Sequence, residues 1–519
     1  MGIIDPPALI RSANLADLSS AAAARLNLAA AGLQSYGLPI GRGSCVVPIG
    51  LRGHSQIEDE VSAVSSGTST TQTYRQFWPL SDPKAGSVLP VFANLNYVGS
   101  SGSAGGDADA PNPVTVACSV ECSDGTILPF TFGGQHTITI PATDGFLAIP
   151  DNPVSFDAQL TVTGSNGIST FTGVWLRVYV SIGASRTDTV TVTNGSATVA
   201  DASILASDLG RPVSGTGIPA STFVGAPLTA STSFTLVQNT SRTTQSSVNA
   251  TGNGSSATLT SQSPINWGTF LQFNDKSNGA NGADKTPQGS GAFSGSAGAQ
   301  FSPVALLGPV PSGRKPIVCL ISDSIFNGTN DNYIGPVMRG CLSLGYPFVR
   351  LSKHGDFAQV FASPAGRRYR QQLAPGCTHA IVQLGTNDGI PDSGSVTSLE
   401  GWITTIGQWL SGLGIQPWLT TLPPKTTSTD SWATTGNQTP VFPAAQLASY
   451  NGWVRGVPSP YAGYIELGNL CSSAQDSGLW KADGSAFTYT TEGIHPSQAL
   501  QTGTIAAAVL STMSGWTVT

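Results

Sequence analysis

Three short blocks in the last two-fifths of the chain hold residue types that together can hydrolyse an ester. They are Ile321-Ser322-Asp323-Ser324-Ile325, Gly385-Thr386-Asn387-Asp388 and Glu492-Gly493-Ile494-His495-Pro496. Ser324 offers a hydroxyl nucleophile, which is inert at neutral pH without a base. His495 is the candidate base, and Glu492, three residues earlier, the candidate carboxylate to orient its second ring nitrogen. Candidate oxyanion donors are the N–H of Ser324, the N–H of Gly355 and the side-chain amide of Asn387. Gly355, in Lys353-His354-Gly355-Asp356, allows a close backbone approach because it lacks a side chain. His354, beside it, and Trp432, in a polar loop, are candidate substrate contacts. Asp323 and Asp388 read as groups that hydrogen-bond their loops rather than carry protons. Each choice has a plainer alternative. Ser324 could be a helix N-cap, His495 a cap on the last helix, Asn387 a loop cap and His354 a surface histidine.

The elements around these blocks place them at one edge of a sheet. From about residue 311, apolar strands are predicted at 317–321, 348–351, 380–384, 418–422 and 464–467. They alternate with helical stretches near 332–344, 357–373, 398–412, 443–456 and 497–513. That alternation implies a parallel sheet with right-handed crossovers. A ligand crevice forms at the carboxyl ends of such strands, where each block falls. Trp402 and Trp409, seven apart on one helix face, read as core.

Taken in order, the blocks resemble those of the SGNH, or GDSL-type, hydrolases: serine first, glycine second, G-x-N-D third and an acid-x-x-His last. The resemblance covers 311–519, and no G-x-S-x-G elbow competes there. It implies a flavodoxin-like α/β/α domain with a five-stranded parallel sheet that hydrolyses esters, often acetyl groups on sugars, with no metal or cofactor. Thr426-Thr427-Ser428-Thr429-Asp430-Ser431-Trp432 resembles a loop of a subgroup in which the hydrolase follows an N-terminal β-domain. Two residues depart from the pattern. Ser322 stands where the family has Gly, and Glu492 where it has Asp.

The rest of the chain is β in character. Its 519 residues leave room for about three or four domains. Charged residues make up only 10% of it, with 61 Gly and 35 Pro, a turn-rich composition common in secreted and virion proteins. Val114, Val116, Cys118 and Val120 alternate with Thr115, Ala117, Ser119 and Glu121, and Val174, Leu176, Val178 and Val180 alternate with Trp175, Arg177 and Tyr179. Residues 46–185 plus 262–310, including a strand at 267–273, are expected to form a jelly-roll-like β-sandwich. A Thr/Ser-rich stretch at 186–261 reads as an inserted β-module, either a spacer or a carbohydrate contact. Residues 1–45 read as an attachment segment with a short helix, and Asn14-Leu15-Ala16-Asp17-Leu18 followed by Ala24-Arg25-Leu26-Asn27-Leu28 resembles a segment of bacteriophage tail fibres. The seven scattered cysteines fit neither a zinc spacing nor an obvious disulfide set.

A net charge of −6 without a basic cluster argues against nucleic acid as a partner. No signal-peptide pattern opens the chain, and no apolar run is long enough for a membrane helix. The combined expectation is a serine esterase on a phage tail, acting at the host surface on an acylated polysaccharide or glycolipid. The N-terminal segment would join other tail proteins, and the assembly would be trimeric, as tail fibres often are. Two rivals stand beside it: a degenerate hydrolase domain that only binds glycan, and a bacterial envelope lipase or thioesterase.

Overall fold

The computed structural model describes residues 46–48, 71–81, 86–98, 106–109, 113–141, 147–157, 159–162, 170–182, 185–205, 208, 211–220, 222–241, 244–260, 276–278, 282–293, 295–296, 301–309, 315–331, 334–388 and 395–518. The N-terminal segment with its expected helix, the strand expected at 267–273 and Cys45 lie outside these residues.

The apolar strands of the C-terminal part assemble as one parallel sheet. They are β1 (Val318–Ser322), β2 (Phe348–Arg350), β3 (His379–Gln383), β4 (Gln416–Thr420) and β5 (Gly463–Ile465). Their order is β2-β1-β3-β4-β5, with every pairing parallel. This is the flavodoxin-like arrangement, whose switch point lies where β2 and β3 flank β1. Side chains alternate across β1 as a strand requires. Val318 and Leu320 join Val337 and Met338 of helix α1 (Gly335–Leu344) and Val509 and Met513 of the last helix. Cys319 and Ile321 join a cluster with Phe361, Leu399, Ile403, Leu410 and Leu447 on the other side. Those residues belong to helices α2 (Ala358–Ala362), α3 (Val396–Gly412) and α4 (Ala444–Arg455). Trp402 and Trp409 pack against that same cluster.

Two helices differ from their expected spans for local reasons. The stretch expected as one helix over 357–373 stops at Ala362 and resumes only as a 3-10 turn over Arg370–Leu373. Pro364 and Gly366 lie in the break, where a lost N–H donor and a flexible backbone oppose continuation. The helix after β1 begins at Gly335, and residues 324–331 make a run of turns rather than entering a helix directly. Gly328 and Gly335 both have positive φ there and approach each other closely.

N-terminal to this unit lie two antiparallel sheets. One runs Ser87–Ala93 beside Ala305–Pro309, and the other centres Thr170–Ser181 between Thr71–Pro79 and Val114–Glu121. Leu89, Val91 and Phe92 from the first, and Tyr74, Val116 and Leu176 from the second, share a buried cluster with Cys319 and Ile321. Phe77 and Trp175, edge to face at 5.1 Å, sit in the cluster of Val318 and Leu320. The β-region and the α/β unit therefore share apolar cores.

Residues 186–259 behave otherwise. They build a seven-stranded antiparallel sheet around Val192, Val199, Val224, Phe234 and Leu236, a separate cluster. Its entry and exit are neighbours, with Arg186 opposite Leu259. Phe234 is fully buried, so Phe234→Ala should remove about 3–5 kcal/mol from this unit. Calorimetry should show one unfolding transition moving down while another stays. A single transition displaced as a whole would contradict a separate core.

Candidate active site

Ser324 lies just past the end of β1, at the switch point of the sheet. Asp323 shapes the turn: its carboxylate accepts the N–H of Ile325 at 2.9 Å, and its carbonyl accepts that of Asn327 at 3.2 Å. The N–H of Phe326 is held by the side chain of Gln383 on β3 at 3.2 Å. So fixed, the Ser324 hydroxyl is not used as a helix cap. It meets Nε2 of His495 at 2.7 Å, across 171 residues of chain.

His495 owes its place to a loop tied at several points. Thr490 Oγ1 donates to the His495 carbonyl at 2.8 Å and accepts the Gly493 N–H at 2.9 Å. The Gly493 carbonyl accepts from the buried Trp480 indole and from the Thr426 N–H, each at 2.9 Å. Gly493 has φ +81°, and a Cβ there would collide with the Thr426 carbonyl and the Trp432 ring. No other residue fits that position. The next helix is capped by Ser497, which accepts from Leu500, so His495 does not serve as the cap. Its Nδ1 instead meets Glu492 Oε1. Glu492 is 46% exposed, whereas His495 is 13% exposed.

The other two blocks converge on the same edge. Lys353 N–H donates to the Ser322 carbonyl at 3.1 Å, and Asp323 N–H to the Gln383 carbonyl at 3.1 Å. Gly355 follows with φ +65°, exposed, with open space where a side chain would stand. Asn387 Nδ2 donates to the carbonyl of Asp356, next to Gly355, at 3.1 Å. An amide carries two N–H donors, so a second is left for an oxyanion. Asp388 accepts the N–H groups of Ala358 and Gln359 at 2.8 and 2.9 Å, capping α2. Ser322 takes its place without strain: it ends β1, and its hydroxyl donates to Ser352 at 2.8 Å.

The two candidate substrate contacts have partners of their own. His354 meets Thr329 Oγ1 at 3.1 Å, and the Thr329 N–H returns to the Ser324 carbonyl. Burial first, then the neighbouring His495, push its imidazole down to about 3, so it is neutral at working pH. Trp432 donates its indole N–H to Thr426 at 2.8 Å and stacks obliquely on Phe487, 6.1 Å between centroids. Phe487 is 46% exposed and has φ +60°.

Several contributors had weaker sequence signals or none. Gln383 was visible as a polar residue in an apolar strand, but Trp480 and Asn330 lie in unpatterned sequence and Gln501 in a stretch read only as the last helix. Asn330 Nδ2 reaches Thr491 Oγ1 at 3.1 Å, and Gln501 Nε2 reaches the carbonyls of Pro496 and Thr329. Gln501 opens a π-type stretch, Gln501–Ile505, of the kind that often marks a functional site. Among the described residues, no group of three or more His, Cys, Asp or Glu is placed to hold a metal ion. None of their helices is long and apolar enough to cross a membrane.

No protein-family model matches the chain, and no curated protein matches it. Solved structures similar to part of it include a GDSL-like lipase from Bacteroides thetaiotaomicron. That pair is 14% identical over 39% of this chain and 92% of the lipase, at a TM-score of 0.29. A psychrotrophic esterase from Pseudoalteromonas is 12% identical over 39% of this chain and 98% of the esterase, TM-score 0.27. An α/β hydrolase from the Lake Arreo metagenome is 14% identical over 38% and 95%, TM-score 0.29. The fold assignment rests on the sheet itself, not on these scores.

Asp323 gives the site a measurable pH signature. Burial raises its carboxyl to about 7 from an ordinary 3.8, above the opposing pull of the Ile325 N–H. The folded chain thus keeps a proton that the unfolded chain releases. Stability from this group is full below pH 4 and is lost as pH rises to 7, at up to about 1.4 kcal/mol per unit. Asp323→Asn, neutral throughout, should gain on the wild type in melting temperature as pH is raised from 4 to 7. A difference that stays flat with pH would refute this assignment.

Proposed function

We propose that the chain is a serine ester hydrolase acting on acetyl or other short acyl esters. The observation that carries this reading is the continuous relay of Ser324, His495 and Glu492. Ser324 Oγ attacks the ester carbonyl while its proton passes to His495 Nε2. The carbonyl oxygen, now negative, is held by the N–H groups of Ser324 and Gly355 and by the Asn387 amide. As the tetrahedral intermediate collapses, His495 gives its proton to the leaving alcohol and an acyl-serine remains. Water, deprotonated by the same imidazole, then releases the carboxylic acid and restores the serine. Glu492 holds the Nδ1 proton and stabilises the imidazolium.

The finer reading places the enzyme on a phage tail, with an acylated host polysaccharide or glycolipid as substrate. In it, residues 46–185 plus 262–310 form the β-sandwich, 186–261 the inserted module and 311–519 the hydrolase domain, joined through 1–45 to other tail proteins and assembled as a trimer. Its support is the ordered set of blocks in 311–519, the low charge and the tail-fibre-like segment at 14–28. A second reading, binding without turnover, takes its support from Glu492: a half-exposed carboxylate interacts with its imidazole through a more water-like medium.

Initial rates on p-nitrophenyl acetate and butyrate separate the two readings. The wild type should prefer acetate, and Ser324→Ala should lower the rate by about 10⁴-fold or more. Asn387→Ala should cost about 10²- to 10³-fold, chiefly in kcat. Glu492→Gln should cost less than His495→Ala. A wild type indistinguishable from Ser324→Ala, on these esters and on acetylated host glycan alike, would leave only the binding reading.

A further inference from the structure

Two residues of the β-region reach into the α/β unit. The hairpin of Leu95–Val98 and Gly106–Asp109 ends at Gly106-Asp107. Gly106 has φ +130°, and a Cβ there would stand 2.5 Å from the Cα of Gly366. That contact admits no side chain. Asp107 N–H then donates to the Gly366 carbonyl at 3.0 Å.

The Asp107 carboxylate is completely buried, and each of its oxygens is taken. Oδ1 accepts from Arg370 Nε at 2.6 Å, and Oδ2 accepts the N–H groups of Tyr369 and Arg370 at 2.9 and 2.8 Å. Arg370, equally buried, extends its fork onward. Its Nη1 donates to Asp356 Oδ2 at 2.5 Å and to the Leu351 carbonyl at 2.9 Å. Asp356 follows Gly355, and its carbonyl accepts the Asn387 amide at 3.1 Å. Charge-assisted bonds thus run from Asp107, 263 residues before Arg370, to Asp356, whose backbone carbonyl holds the Asn387 amide and whose chain neighbour is Gly355, two of the three oxyanion donors.

We infer that Asp107 is a positioning residue for ester hydrolysis: through Arg370 and Asp356 it sets the Gly355 backbone and the Asn387 amide. The β-region is then part of the catalytic apparatus rather than an attachment. The physical case is geometric. A guanidinium fork holds two carboxylates at fixed separation and direction, which one ammonium cannot do. Without Asp107, Arg370 is a buried cation short of one counter-charge, and its fork is free to turn, carrying with it the Asp356 carboxylate already bound to it. A shift of about 1 Å in an oxyanion donor is enough to cost about 10²-fold in rate.

The inference rests on the hydrolase reading, and its test keeps the two apart. The kinetics of wild type, Asp107→Asn, Asn387→Ala and the double variant on p-nitrophenyl acetate form a cycle. Melting curves fix a temperature at which all four are folded. Asp107→Asn should lower kcat by about 10-fold or more with KM little changed, and should lower it far less in the Asn387→Ala background. A fall of the same factor in both backgrounds, or a lower melting temperature with kcat intact, assigns Asp107 to the fold alone and overturns the inference. Where Asp107→Asn does not fold, Arg370→Lys, which keeps the buried cation but not the fork, is read on the same cycle. A wild type without Ser324-dependent turnover removes the hydrolase reading and this inference together. Turnover with an additive cycle removes the inference only.

Discussion

The hydrogen bond between Ser324 and His495 is the constraint that organises the C-terminal half of the chain. Its partners lie 171 residues apart, on loops with no covalent reason to meet, yet 2.7 Å separates them. A serine–imidazole bond at a surface is weak on its own, so the geometry must come from what surrounds it. On the serine side, the switch-point strand, the Asp323 turn and the Gln383 side chain leave the hydroxyl one direction. On the histidine side, Thr490, Trp480 and Thr426 hold the loop through its backbone, and Gly493 lets it pass beneath them. Asn330 and Gln501 then join the two sides directly. Preorganisation here is a sum of modest bonds, most of them buried or part-buried, where they are stronger than in water, with the Asn330–Thr491 bond exposed.

The same shell limits where charge can reside. Asp323 is held near neutrality by burial, and His354 is held unprotonated by burial and by its neighbour His495. Asp388 is raised to about 6, although two helix N–H groups favour its ionised form. At neutral pH His354 therefore carries no charge and Asp323 only part of one, whereas Asp388 is largely ionised and Glu492 stands half in water. Negative charge developing at a substrate carbonyl would meet neutral donors already fixed in place, one of them, Gly355, open to solvent.

How much of this was legible in the sequence follows from how local each signal is. Ser324, Asn387 and His495 sit in blocks whose residue types announce chemistry; the first two follow strand ends that apolar periodicity marked, whereas His495 lies on a loop well past the last sheet strand, which ends at Ile465. Alternation with helices implied a parallel sheet with right-handed crossovers, and the flavodoxin-like arrangement came only from the resemblance to the SGNH hydrolases. The break after Ala362 could have been read from Pro364 and Gly366, which stand between apolar residues on one side and good helix formers such as Arg and Gln on the other. Asp107 gave no signal. It lies in a run of Gly, Ala and Asp with no apolar strand pattern, and its meaning depends on an arginine 263 residues away. Tertiary partners of that kind are fixed by the packing of whole sheets, which no local window contains.

That packing explains why such a buried ion cluster is tolerable here. Taking Arg370 and two carboxylates out of water costs several kcal/mol per ion unless every donor is met. The guanidinium is met by Asp107, Asp356 and the carbonyls of Leu351 and Gly366, and it lies 4.9 Å over the Phe361 ring. These partners come from both the β-region and the α/β unit, so no smaller piece of the chain completes the set. The apolar clusters that join the two parts bring them together but do not fix a register. Directional bonds to a buried fork do, and they do so beside the loop that carries Gly355.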